Sequence, residues 1–159
     1  MAPVSDSESS LVTTQRLAYT YKRSLGPVLS QFFTALRERR ILGVRRPDGS
    51  VMVPPREYDP DSGEAISEMV EVSDIGVVKS WAWVHAPRPA QPLPHPFAYA
   101  LIQLDGADTP LLHMVDAGAE AQMQTGMRVR ARWAEPRGGG IGDIAAFVPA
   151  SETAGASGE

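Results

Sequence analysis

The groups able to do chemistry in this chain are few, and their spacing is as informative as their identity. His85, His95 and His113 show no metal-ligand spacing and fall on different expected elements, which favours structural or surface roles for all three. There is no cysteine, so disulfides, thiol catalysis and thiolate metal sites are excluded together. Asp105 and Asp108 flank a turn signal that accounts for them without chemistry. The run Gly138-Gly139-Gly140 lacks the strand before and helix after that a phosphate-binding loop needs, and it reads as a flexible hairpin. Lys22 and Arg23 have the charge to meet a phosphate, although solvated surface is the simpler reading. No nucleophile stands beside a base. What remains is an alternation, Arg128, Arg130 and Arg132 against Met127, Val129, Ala131 and Trp133. It describes either the wet side of a half-buried strand or a stripe that recognises phosphate, as in single-stranded nucleic acid. Trp81 and Trp83 share their alternation with Val77 and Lys79 and suit core, partner contact or base stacking.

The elements that must position these groups belong to a chain of 159 residues, enough for one hydrophobic core with an appendage. Apolar residues make up 43% and charged residues 21%, a soluble globular composition. A net charge of -4 argues against a dedicated nucleic-acid binder, whose affinity comes from neutralising phosphates. No apolar run reaches the roughly 20 residues of a membrane span, and residues 1–10 lack the basic and apolar regions of a signal peptide, so a cytoplasmic protein with no membrane partner is expected.

Residues 1–10 and 151–159 are small, polar and acidic, and are expected as frayed tails; 11–21 reads as an extended arm with Leu17, Tyr19 and Tyr21 on alternate positions, so that 1–24 forms a tail and arm. A helix within 25–43 follows from Leu25, Val28, Leu29, Phe32, Phe33 and Leu36 at helical spacing, with Pro27 in its first turn, Arg37, Arg39 and Arg40 in its last and Gly43 just beyond. Residues 41–53 form a hairpin about Pro47-Asp48-Gly49, and Asp59-Pro60-Asp61-Ser62-Gly63 is a second tight turn before a short strand at 66–72. These make a small module over 44–72. Strands are expected at 77–84, 97–104, 111–115, 127–133 and 141–148, with a proline-rich loop at 86–96 and a helical turn at 119–124. Three strands, a short helix and two strands give a mainly β chain whose 73–149 region is a five-stranded OB-fold barrel.

Ser24-Leu25-Gly26-Pro27, the stretch 34–43 (TALRERRILG), Val53-Pro54-Pro55-Arg56 and the barrel segments 97–106 and 125–133 together resemble the zinc-ribbon and OB-fold proteins that accompany thiolase-like enzymes. The resemblance covers about residues 17–148 and is greatest to the subunit that pairs with a lipid-transfer-protein-type thiolase homologue, an aldolase of steroid side-chain degradation. It implies a leading helix, a ribbon, a barrel and a non-catalytic role beside an enzyme that handles acyl-CoA. The chain departs from the family where ribbon cysteines belong: the two Cys-x-x-Cys knuckles correspond to Arg46-Pro47-Asp48-Gly49 and Asp59-Pro60-Asp61-Ser62, a poor donor set for zinc. A ribbon-shaped module without metal, and no cofactor, are therefore expected.

The leading expectation is a partner subunit of a thiolase-like aldolase, meeting it through Phe32, Phe33, Trp81, Trp83, Pro89, Pro92 and Pro94, with acyl-CoA reached through the complex. Arg128, Arg130 and Arg132 are the candidates for a coenzyme A phosphate. The alternatives are a single-stranded nucleic-acid-binding OB protein and a stand-alone acyl-CoA-binding module.

Overall fold

A computed structural model describes residues 13–20 and 24–150. The expected tails, Lys22 and Arg23, and the ends of the expected arm lie outside the described residues. Residues 13–20 form no strand and are exposed throughout, Leu17 at 65% and Tyr19 at 80%, so this part of the arm does not lie on the body of the chain.

Helix α1 (Gly26–Arg37) carries Pro27 at its start and buries Val28, Phe32, Ala35 and Leu36. It has no side-chain cap from its own N-terminal residue; Glu57, far along the chain, accepts the Val28 N–H at 3.0 Å through Oε1 and puts negative charge at the positive end of the helix dipole. The helix is shorter than the sequence suggests. Arg39 adopts φ 62°, and the Arg39 and Arg40 amides close on the Leu36 and Ala35 carbonyls at 3.0 Å each, a Schellman ending with arginine in the usual glycine position. Arg39 and Arg40 therefore lie beyond the last turn, and Gly43 is a strand residue rather than a helix stop.

That strand, β1 (Ile41–Arg45), is the centre of a three-stranded antiparallel sheet between β2 (Val51–Met52) and β3 (Met69–Val72). Gly43 is required by close approach: a Cβ there would meet Val51 Cγ1 at 2.7 Å and the Met52 carbonyl oxygen at 2.9 Å. The strand expected at 66–72 begins only at Met69, and Ile66 instead packs with Val44 and Met52.

The remaining strands are β4 (Ile75–Val84), β5 (Phe97–Leu104), β6 (Leu111–Val115), β7 (Arg128–Trp133) and β8 (Ile144–Pro149), closed in the order β4-β5-β6-β8-β7. β6 and β8 form the parallel pair, with Val115 opposite Phe147, and every other pairing is antiparallel. This is the five-stranded OB barrel that the strand order predicts. The helical turn expected at 119–124 is a short 3-10 turn, Glu120–Gln122. One core runs through all three parts: Phe32 and Leu36 of the helix, Ile41, Val51, Val53 and Val72 of the small sheet, and Val78, Ile102, Leu104, Val129, Ile144 and Phe147 of the barrel. Among the described residues no helix is long and apolar enough to cross a membrane.

Candidate functional site, the outer face of the barrel

The arginine stripe is where the sequence most invites a ligand, and two of its three members are engaged by carboxylates of the chain itself. Arg128 forks onto Asp105, with Nη1 to Oδ1 at 2.8 Å and Nη2 to Oδ2 at 2.5 Å. The pair raises the Arg128 pKa and lowers that of Asp105. Arg132 donates to Asp116 at 2.9 Å, and His95 Nε2 stands 3.1 Å from the other oxygen of the same carboxylate. Burial pushes Asp116 upward, but Arg132 and His95 outweigh it and leave the group lowered. Arg130 is paired through its backbone with β4 and β8, and its side chain makes no hydrogen bond or ion pair among the described residues. All three arginines are exposed while Val129 and Ala131 between them are buried, the pattern of a strand with one wet face.

The glycine run is pinned rather than loose. The amides of Gly138, Gly139 and Gly140 donate to the Asp143 carboxylate at 2.8, 2.8 and 3.4 Å, so the anion those amides would cradle is a side chain of the chain itself. Burial raises the Asp143 pKa and the three amides more than offset it. Arg37 closes the arrangement from the helix by donating to the Gly138 carbonyl at 3.1 Å. Asp143 is the residue that sequence reasoning missed here; an acid three to five positions after a glycine run was the available signal.

The histidines remain apart. His85 is exposed beside Glu120, His95 belongs to the Asp116 pair, and His113 is 5% exposed inside the barrel, edge-on to Phe147 with ring centroids 5.5 Å apart. No cluster of three or more His, Asp or Glu side chains suited to a metal occurs among the described residues.

The expected partner contacts divide. Phe32 is 1% exposed within the core, so it cannot meet a partner in this conformation; its helix uses that side against its own sheet and barrel. Phe33 is half-buried, its ring 5.3 Å from that of Phe32. Trp81 and Trp83 do not share a face with Val77 and Lys79. A bulge between Val78 and Ser80 shifts the alternation by one, placing Trp81 opposite Ala100 and Trp83 opposite Ala98. Those alanines line the inside of the barrel with Ile102 and Leu104, so both indoles are half-buried against the core. Pro89, Pro92 and Pro94 are exposed on a loop anchored by Leu93, which packs on Phe97 and Ala146.

That loop covers only the start of an apolar surface that the sequence reading did not single out. On the outside of the barrel Tyr99 pairs with Met114 and Leu101 with Leu112, and beyond the covered Phe97 these side chains are left half-buried or open. Leu112 is 62% exposed, Ile141 45% and Leu101 37%. Pro92, Tyr99, Leu112, His113, Met114 and Ile141 surround a hollow of about 350 Å³. The larger hollow of about 490 Å³, between helix and small sheet, has a mixed lining: Ala35, Leu42 and Met69 stand beside polar groups that include the Arg40 to Glu71 ion pair. The signal for the outer face was present in β5, whose FAYALI run is apolar on both sides instead of alternating.

Beside the small sheet, the positions that correspond to the cysteine knuckles of the resembling ribbons present a guanidinium. Arg46 lies between the two turns, 15% exposed, with Nε donating to Asp59 at 2.6 Å. A dication would meet that cation and neither sulfur nor imidazole, so these residues do not fit a zinc site.

Residues 69–134 match the family described as ChsH2, C-terminal OB-fold domain. No curated protein matches the chain. Among solved structures, a chain of the Ltp2-ChsH2(DUF35) aldolase is 25% identical with a TM-score of 0.59, the match covering 80% of this chain and 98% of that one. A DUF35-family protein of unknown function from Sulfolobus solfataricus is also 25% identical, with a TM-score of 0.55 and coverage of 67% and 78%. Over residues 69–134 the sequence is similar to the ChsH2-type OB-fold domain, and the closed five-stranded barrel is the fold that this similarity and the likeness to the two DUF35 structures support.

Proposed function

We propose that this chain is a non-catalytic partner subunit of a thiolase-like aldolase and docks on it through the outer face of β5 and β6. The observation that carries the reading is the open apolar surface of Leu101, Leu112 and Ile141 around its hollow, on a chain that brings no nucleophile and base together among its described residues. Similarity to a chain of the Ltp2-ChsH2(DUF35) aldolase supports it. In this reading the partner carries out retro-aldol cleavage of an acyl-CoA in the cytoplasm, in steroid side-chain degradation, and this chain completes or steadies the enzyme. Pro92 lines the hollow, and Pro89 and Pro94 of the same exposed loop are further contacts in this reading, at little entropic cost because a proline-rich loop is already stiff. Phe33, Trp81 and Trp83 are secondary contacts. Arg130 is the stripe member best placed to meet a coenzyme A phosphate, since Arg128 and Arg132 would first have to leave Asp105 and Asp116.

Co-expression with a thiolase-like protein of the same genome, followed by size exclusion, tests the assignment. Co-elution that is lost in Leu112→Arg is expected, because a charge at the centre of an apolar interface leaves the free chain intact and opposes docking. Separate elution under all conditions overturns it.

A further inference from the structure

The ribbon resemblance raises a structural question of its own: what ties the two turns together where the family pattern has four cysteines and this chain has none. The turn about Pro47 to Gly49 is closed by the Arg46 amide on the Ser50 carbonyl at 2.8 Å and the Gly49 amide on the Arg46 carbonyl at 2.9 Å. The second turn is closed by the Gly63 amide on the Asp59 carbonyl at 2.9 Å, and the Asp59 carboxylate accepts the Asp61 and Ser62 amides through Oδ1 at 3.0 and 2.8 Å. The first residue of each turn then reaches across to the other. Arg46 Nε donates to Asp59 Oδ2 at 2.6 Å, Nη2 donates to Asp61, and Nη1 stands 3.3 Å from Asp48 of its own turn.

Burial decides which of these contacts matter. The Asp59 side chain is 3% exposed and that of Arg46 15%, whereas Asp48 and Asp61 are 58% and 81% exposed. The outer two carboxylates are screened by water and contribute little. The inner pair is enclosed, and Asp59 has both oxygens satisfied, one by amides and one by the guanidinium. Loss of either partner would strand a charge inside a module whose own side cluster is only Val44, Met52 and Ile66. Arginine suits the task because its flat guanidinium offers donors in several directions at once and keeps its charge at any ordinary pH.

We propose that the Arg46 guanidinium takes the structural place of the metal in this ribbon, with Asp59 as its buried counter-ion, so that the module is held by an ion pair instead of by zinc. Its integrity then answers to charge and not to metal supply or thiol oxidation. The inference stands apart from the proposed partnership and concerns the free chain.

Amide exchange and elemental analysis on the full chain test it together. Protein prepared with zinc present is expected to carry no stoichiometric metal, and a chelator is expected to leave its exchange pattern unchanged. Arg46→Met is expected to speed exchange of the 57–66 amides by about tenfold or more while the β5 amides keep their rates. Asp59→Asn added to Arg46→Met removes the stranded carboxylate, keeps an oxygen for the two turn amides, and is expected to recover much of that protection. It also serves if Arg46→Met alone is insoluble. Stoichiometric zinc whose removal loosens the module overturns the proposal. So does parental exchange in Arg46→Met, or a double variant looser than the single one.

Discussion

Asp108 and Val51 hold each other from both ends: the Asp108 amide donates to the Val51 carbonyl at 2.8 Å, and the Val51 amide donates back to Asp108 Oδ2 at 2.7 Å. Thr109 repeats the arrangement on the next alternate residue, its hydroxyl accepting the Val53 amide at 2.8 Å and donating to the Val53 carbonyl at 3.1 Å. The loop between β5 and β6 thus covers the free edge of β2, and the small sheet gains backbone partners from the barrel. With the shared core, this makes the ribbon part of the barrel's folding unit.

Removing one of these grips should therefore lower the stability of the whole. Asp108→Ala leaves the partly buried Val51 amide without an acceptor and is expected to cost about 1 to 2 kcal/mol in urea unfolding, as a shift of a single shared transition. Asp108→Asn keeps an oxygen in place and should recover most of it. Separate transitions for small sheet and barrel would contradict the shared unit.

Gly76 is a second point where backbone approach leaves no slack. A Cβ would meet the Gln103 carbonyl oxygen at 2.4 Å and Leu104 Cα at 2.9 Å, both backbone atoms of the neighbouring strand. Gly76→Ala has to push β4 and β5 apart at the start of their ladder and is expected to destabilise by about 2 to 3 kcal/mol. Gly49→Ala serves as the contrast: nothing lies within 4 Å of its Cβ position, and its penalty comes from φ +87° alone. Calorimetry on the two variants orders them.

The barrel was legible because its strands carry β-branched and aromatic runs bounded by turn signals, and those depend on neighbours in sequence. What was hidden depends on neighbours in space. Nothing in VVKSWAWV announces the bulge beside Lys79 that turns Trp81 and Trp83 toward Ala100 and Ala98; the small residues that make room for the indoles lie on another strand. Phe32 and Phe33 looked like one feature, yet the helix buries the first and leaves the second half-covered. Asp143 was unremarkable until the chain folded three glycine amides around it. Gly43 was read as a stop for the helix, because glycine is the usual left-handed residue, while the actual left-handed position holds Arg39.

Arg39 in that position costs the chain free energy that glycine would not. A residue with a Cβ at φ 62° is strained, and the ion pair Arg39 makes with Glu135 joins two exposed side chains, 56% and 61% accessible, so it offsets little. Arg39→Gly is expected to raise stability by about 0.5 to 1 kcal/mol, seen as a higher unfolding midpoint with unchanged slope. A lower midpoint would mean that the surface pair outweighs the backbone strain.

His113 gives the barrel a pH dependence with a definite sign. It is 5% exposed, edge-on to Phe147, and its Nδ1 has no hydrogen-bond partner among the described residues. Burial lowers its pKa from the ordinary value, with the Met114 and Ile141 backbone pulling less strongly the other way. As pH falls through about 6.5 the unfolded chain takes up a proton that the folded chain refuses, so the contribution is complete above that pH and is lost as pH falls toward the lower folded value. The urea midpoint should accordingly decline between pH 7.5 and 5.5, before the carboxylates titrate. His113→Leu removes both the titration and the unpaired nitrogen at similar volume, and is expected to flatten that slope while holding or raising stability at pH 7.5. A variant that keeps the parental slope would assign the proton uptake to another group.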